Sequence, residues 1–249
     1  MEAPPESINP TPERGMDFAW FHLRCHLRLW LPAIVLAGLD LWSKQWAFSS
    51  LGPNETRTMI PHVLEFRRSL NDGAVFGSFT GFVGVFVVAS VVALGFVVYV
   101  FGRSGRQQWG LHLALGMVMA GAIGNLYDRA LIKADVVTFQ TRAGKQRSFI
   151  GACVSEPSAP ILRCGDWPDG AHPRRFASSE VSLRRQGVVR DFIKFAPKVP
   201  KWVPKIGGID MWPWIFNVAD ASLVVGVGML LLQSSRGHRK REAPALPGL

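Results

Sequence analysis

Acidic side chains are in short supply in this chain, 18 Asp and Glu against 28 Lys and Arg, which leaves a formal net charge of +10. Such an excess can serve nucleic acid, but here Lys and Arg sit in short runs beside apolar segments, the pattern that orients a membrane protein. No nucleic-acid partner is expected. Cysteine is equally sparse: Cys25, Cys153 and Cys164 form no CxxC pair, and the histidines form no HExxH or comparable ligand spacing. No metal site and no cofactor are expected. His22 and His26, one helical turn apart, read as a solvated helix face. Residues 1–17 lack the basic start and short apolar core of a cleavable signal, and with five prolines and glycines they read as a disordered tail that the protein keeps. From Thr80 to Phe101 charge is missing altogether.

What is present is apolar residue in blocks, 48% of the chain, with a positive mean hydropathy despite the charge. That combination excludes an ordinary soluble domain. Stretches of about 20 apolar residues cross a bilayer. They divide the chain into an N-terminal tail (1–28), four transmembrane helices (29–48, 80–101, 109–130 and 212–233), a β segment (49–79), a short loop (102–108), a long insertion (131–211) and a C-terminal tail (234–249). Four spans put both termini on one side. Arg24 and Arg28, Arg103 and Arg106, and Arg236 to Arg241 mark that side as cytoplasmic, which leaves the β segment and the insertion outside. The insertion is rich in arginine too, but the charge rule weakens for loops longer than about 60 residues.

Within the β segment Ile60, Leu64, Phe66 and Leu70 fall at even positions with polar residues between, a strand period broken only by His62 and Arg68. In the insertion, Val136 to Gln140 and Gly187 to Phe195 look like strands, and the Pro, Gly and Ser content between them predicts an irregular surface. Cys153 and Cys164 are the only two cysteines expected outside, where oxidation is permitted, and are expected to pair.

Two carboxylates stand out. Asp220 lies about eight residues into the last span if that span starts at Trp212, and an ionisable group there costs roughly 2 to 4 kcal/mol unless it has a partner. Asp128 ends the third span, which runs the opposite way, so the two aspartates are expected at similar depth. If they meet, one pKa must rise, and a pair sharing one proton is how an aspartic protease activates water. In the first span Asp40 and Lys44 lie one turn apart, as a neutralising pair or a support for the site. The rival reading is a proton or ion path, which further carboxylates or histidines down the second span would mark and which that span lacks.

Five blocks in order resemble the lipoprotein signal peptidases (signal peptidase II): Asp40-Leu41-Trp42-Ser43-Lys44, Asn71 to Gly77, Gly121 to Arg129, Val189-Arg190-Asp191-Phe192-Ile193, and Phe216-Asn217-Val218-Ala219-Asp220. The GNxxDR and FNxAD patterns carry most of the specificity. The resemblance implies a catalytic dyad of Asp128 and Asp220, a substrate-binding lining of Asn71, Gly73, Asn125, Arg129 and Asn217, and structural support from Asp40, Lys44 and Asp191. It also implies an α-helical integral membrane protein whose four transmembrane helices carry a small extracytoplasmic β-sheet that cradles the substrate. The implied reaction removes the signal peptide from a prolipoprotein by cutting before its diacylglyceryl cysteine, in the bacterial inner (cytoplasmic) membrane with the site on the extracytoplasmic side. Diacylglyceryl-modified prolipoproteins and membrane lipids are the expected partners, and a monomer the expected state. The chain departs from the family in having Leu41 where glutamine is usual, and in a long insertion between GNxxDR and the Asp-Phe-Ile block. A four-helix channel or proton-coupled transporter subunit is the alternative from another class.

Overall fold

The computed structural model describes residues 18–73, 83–141, 144–156 and 159–242, from residue 236 on as backbone alone. Four helices dominate it: α1 (Leu23–Ser50), α2 (Val83–Arg103), α3 (Trp109–Leu131) and α4 (Val218–Glu242). All four contain a stretch long and apolar enough to cross a membrane. The helix α3 is the centre of the bundle, since α1 and α4 pack along it and most of its residues are buried. Small residues make that possible. A Cβ at Gly121 would strike the Ala219 carbonyl, and one at Gly124 would strike the Asp40 carboxylate, so both flanking helices approach to backbone distance. By contrast α2 buries only Val97 and Phe101 and turns Val85, Val88, Val92 and Phe96 outward, the surface of a helix that meets lipid.

Two helix starts differ from the sequence expectation. Helix α1 begins six residues before Leu29, because Cys25 and Leu29 are buried with Phe101 and Leu115 in the same apolar cluster. His22 is therefore the residue preceding the helix and His26 lies in its first turn, where its ring Nε2–H donates a hydrogen bond to the Trp20 carbonyl at 2.8 Å and packs on Phe101. This corrects the solvated-face reading. Helix α4 begins at Val218 and not at Trp212: Pro213 interrupts the run, and Ile215–Phe216 form a short strand. Asp220 is thus in the first helical turn rather than eight residues down a span.

The 56–71 region is a hairpin, β1 (Thr56–Ile60) and β2 (Leu64–Asn71), and not one strand. His62, which broke the alternation, is in the turn with a φ of 62°. With β8 (Val189–Phe195) and β9 (Ile215–Phe216) the hairpin makes an antiparallel sheet in the order β1-β2-β8-β9. Phe66 and Phe192 seat this sheet on the end of α1, against Ala47, Leu51 and Trp46.

The insertion is ordered, contrary to the irregular surface its Pro, Gly and Ser content predicts. Strands β3 (Lys133–Gln140), β4 (Gln146–Ser155), β5 (Ile161–Asp166), β6 (Ala171–Ala177) and β7 (Val181–Gly187) form an antiparallel sheet in the order β6-β5-β4-β3-β7. Val137, Phe149, Leu162 and Phe176 supply its small core, which is shared between strands too short and too polar to show in any one of them. Cys153 and Cys164 face each other across β4 and β5 and are joined by a disulfide. The sheet is tied to the body by Arg68, whose guanidinium donates to the carbonyls of Trp167 at 2.6 Å and Leu51 at 3.1 Å.

Candidate active site

Three elements converge where α3 ends. The strand β7 runs through Val188 into β8, and the Val188 N–H donates to the carbonyl of Ile132, just past α3, at 3.0 Å. That bond lays β8 across the end of α3. Side chains alternate along a strand. Arg190 and Phe192 therefore leave β8 toward the helices, and Asp191 leaves on the other face.

On the helix side, Asp128 is fully buried and its carboxylate is taken up by Arg190. The guanidinium donates through Nη2 to Oδ1 at 2.8 Å and through Nε at 3.2 Å, and the Arg190 backbone N–H donates to Oδ2 at 2.9 Å. Lys44 stands 3.4 Å from the same Oδ2 and 2.7 Å from Asp40 Oδ2. Asp40 in turn accepts the Ala219 N–H at 2.8 Å, an amide in the first turn of α4 that has no partner within its own helix. Asp40, Lys44, Asp128 and Arg190 are thus a balanced buried set of two positive and two negative charges.

On the other face, Asn217 and Asp220 cap α4 reciprocally. The Asn217 side-chain carbonyl accepts the Asp220 N–H at 2.9 Å, and the Asp220 carboxylate accepts the Asn217 N–H at 3.2 Å. Asn125 of α3 donates to Asp220 Oδ1 at 2.8 Å and accepts from both Lys44 and Asn217 at 3.2 Å. Asn217 also donates to Asp191 Oδ1 at 2.6 Å, and Asn71 donates to Asp191 Oδ2 at 3.1 Å. Asn71 lies opposite Val189 in the register of β2 and β8, two residues from Asp191 on the same face, the diagonal position for such a contact.

Asp191 is the unusual group here. Burial removes its hydration, the negative charge of Asp220 repels its own, and together they push its pKa up to about 8 against the pull of Asn217, Asn71 and Lys44. The carboxylate that shares Asn217 with Asp220 is that of Asp191, while the hydrogen bonds of Asp128 go to Arg190. The expectation that opposed Asp128 to Asp220 took no account of β8. The alternation of Val189-Arg190-Asp191-Phe192-Ile193 was the available signal: it separates Arg190 from Asp191 and marks them for different partners.

The remaining expected residues gather at the same place. Gly73 donates its N–H to Asn71 Oδ1 at 2.9 Å and has a φ of 91°, a conformation that favours glycine, and a Cβ there would press on the Phe86 ring. The Arg129 guanidinium lies 4.8 Å over that ring and feels the charges of Asp220, Asp191 and Asp128. Ala74 to Gly77 of the second block lie outside the described residues. Among the described residues no three His, Cys, Asp or Glu side chains are placed to hold a metal ion.

Four apolar helices with a carboxylate centre under an antiparallel sheet define a multi-pass membrane protein with the groups for acid–base chemistry. Solved structures agree on the fold: a bacterial membrane enzyme determined by the in meso method at 2.3 Å resolution superposes with a TM-score of 0.54 at 19% identity, over 87% of this chain and 93% of that one. A second, at 1.9 Å resolution, gives a TM-score of 0.50 at 22% identity over 82% and 89%. The family is set by sequence: the chain belongs to the signal peptidase II family, whose model, described as Signal peptidase (SPase) II, matches residues 32–236. Relatives named lipoprotein signal peptidase include one from Desulfitobacterium hafniense, 24% identical over 86% of this chain and 99% of its own length. One from Rhodopirellula baltica is 29% identical over 87% and 77%.

Proposed function

We propose that this signal peptidase II works as an aspartic endopeptidase through Asp191 and Asp220, with Asp128 as the buried counter-charge of Arg190 and Lys44. Family membership makes the chain a protease that removes signal peptides from prolipoproteins. The observation that carries the assignment of the pair is that Asn217 binds both carboxylates, donating its side-chain amide to Asp191 at 2.6 Å and its backbone N–H to Asp220 at 3.2 Å; burial and the charge of Asp220 push the Asp191 pKa up to about 8, which makes Asp191 the proton donor at neutral pH. In the first step Asp220 takes a proton from water, the water oxygen attacks the carbonyl before the diacylglyceryl cysteine, and protonated Asp191 donates to the carbonyl oxygen. The tetrahedral intermediate then collapses. The C–N bond breaks, a proton passes to the leaving amine, and the signal peptide departs with a carboxylate while the mature chain starts with cysteine. Asn125 and Asn217 hold Asp220 in place, and Arg129, over Phe86 at the edge of the pair, is placed to meet the substrate backbone or a lipid headgroup.

The site belongs at the outer face of the bacterial inner membrane. The charge bias of the short loops supports that, as does the segment before α4, where exposed Trp202, Trp212 and Trp214 lie near Lys198, Lys201 and Lys205 as interfacial residues do. Such a site meets a substrate whose acyl chains and signal helix are both in lipid. A reporter fused after Leu249 is expected to be cytoplasmic, and an extracytoplasmic signal from it overturns the orientation. The mechanism is tested by cleavage of a lipidated precursor with Asp191→Asn and Asp220→Asn in equal amounts of folded protein. Each is expected to lose turnover by a factor on the order of 10² to 10⁴, and the double variant to be little worse, because paired groups act as a unit. Substantial turnover in either single variant overturns the pair.

A further inference from the structure

Resting on the cleavage reaction at Asp191 and Asp220, we propose that the inserted five-stranded sheet is a binding track for the first residues of the mature lipoprotein, downstream of the cut bond, and that Arg184 reads their charge.

A cleft of about 220 Å³ lies between Asp72 and one face of that sheet, with buried Val136 at its floor and Asp72, Thr138, Gln146, Ser182, Arg184 and Gln186 as its polar walls. Strand register explains the lining. Val136 pairs with Arg184, Thr138 with Ser182 and Ala134 with Gln186 across β3 and β7, and Gln140 with Gln146 across β3 and β4. The side chains of Thr138, Ser182, Arg184, Gln186 and Gln146 therefore share one face, opposite the one on which Val137, Phe149 and Cys164 form the core. The polar face is left for something else.

One wall of the cleft lies next in sequence to the catalytic centre. Asp72 directly follows Asn71, whose amide holds Asp191. From there the lining follows β7 outward, and a second cleft of about 600 Å³ shares Thr138, Gln146 and Ser182 with the first and reaches Glu180. The stretch of β7 from Gln186 to Ser182 alone spans about 13 Å at 3.3 Å per residue, room for about four extended residues. At about 220 Å³ the inner cleft is smaller than the roughly 300 to 1,000 Å³ that a drug-sized ligand takes.

The chemistry of the walls selects the occupant. Amides, hydroxyls and a guanidinium offer both donors and acceptors, which suit an extended polar peptide and reject an apolar signal helix or an acyl chain. The signal peptide and the lipid are held in the bilayer. The segment that must leave the site into water is the mature chain. Exposed Arg184, midway along the cleft, favours an acidic side chain there, and Asp72 at its inner end disfavours one next to the cut bond.

The test uses the full-length enzyme in lipid nanodiscs and three lipid-modified precursors: one ending at the cysteine amide, one with six further residues carrying Asp, and one with Lys in place of Asp. Each kcat/KM is referred to the same enzyme's value on the short precursor. The wild type is expected to favour the acidic long substrate over the basic one by about two- to fivefold, the range of an exposed charge pairing, and Arg184→Glu to invert that order. The same acidic-to-basic ratio in both enzymes overturns the track. Wild-type failure on all three precursors overturns the reading of the reaction, and this one with it.

Discussion

Replacing Asp128 by asparagine separates its two possible roles. Asp128 is fully buried, and so are Lys44, Asp40 and, but for 5% of its side chain, Arg190. The four charges balance, so the substitution leaves one uncompensated positive charge in a buried site. Removing one partner of such a buried pair costs about 3 to 5 kcal/mol, and an asparagine amide facing the Arg190 N–H groups recovers little of it. A destabilisation of that size is a large share of the whole stability of an ordinary domain. The expected phenotype is therefore poor folding, with turnover per folded molecule lowered by less than about tenfold, against the 10²-fold or greater loss for Asp191→Asn. Adding Arg190→Met to Asp128→Asn removes the stranded charge and is expected to restore part of the stability, a coupling that a double-mutant cycle reads directly. Thermal unfolding in detergent gives the stability and precursor cleavage normalised to folded protein gives the chemistry. A folded, wild-type-stable Asp128→Asn that does not turn over would refute the reasoning and move Asp128 into the catalytic pair.

Three further outcomes are expected. The pKa of Asp191 is raised in the folded state to about 8, so its contribution to stability is fully present below the ordinary carboxylate value near 4, declines as pH rises and is gone once pH passes about 8; the stability of wild type relative to Asp191→Asn should fall across that window, and a flat difference in unfolding midpoints contradicts it. At Gly124→Ala the new methyl group meets the Asp40 carboxylate of α1 and the Ala219 side chain of α4, so α3 must part from both helices, at a cost of about 1 to 3 kcal/mol; unchanged stability of the purified variant shows the packing argument to be wrong. Reduction of Cys153–Cys164, or Cys153→Ser with Cys164→Ser, should loosen β4 and β5 by roughly 2 to 3 kcal/mol with cleavage of the short precursor retained; hydrogen exchange in those strands is the readout, and unaltered protection there counts against it.

Whatever depends on composition and local order is legible in the chain alone. Long apolar stretches dictate helices whatever surrounds them, so α2 and α3 fall within a few residues of the expected spans. Asp40 and Lys44 are one turn apart in any helix, and their ion pair follows. The GNxxDR and FNxAD patterns point to the family because they are contiguous. Tertiary structure decided whatever depends on a distant partner. Asp220 reads as a charge buried in a span until Ile215–Phe216 pair with β8 and move the helix start to Val218, where the carboxylate is a cap. The sheet in the insertion has its core spread over β3, β4, β5 and β6, a few apolar residues in each, so no single strand announces it. The different partners of Asp128 and Asp191 are the clearest case. Both are aspartates beside an arginine in sequence, and only the crossing of β8 over the end of α3 puts Arg190 on one and leaves the other to face Asp220.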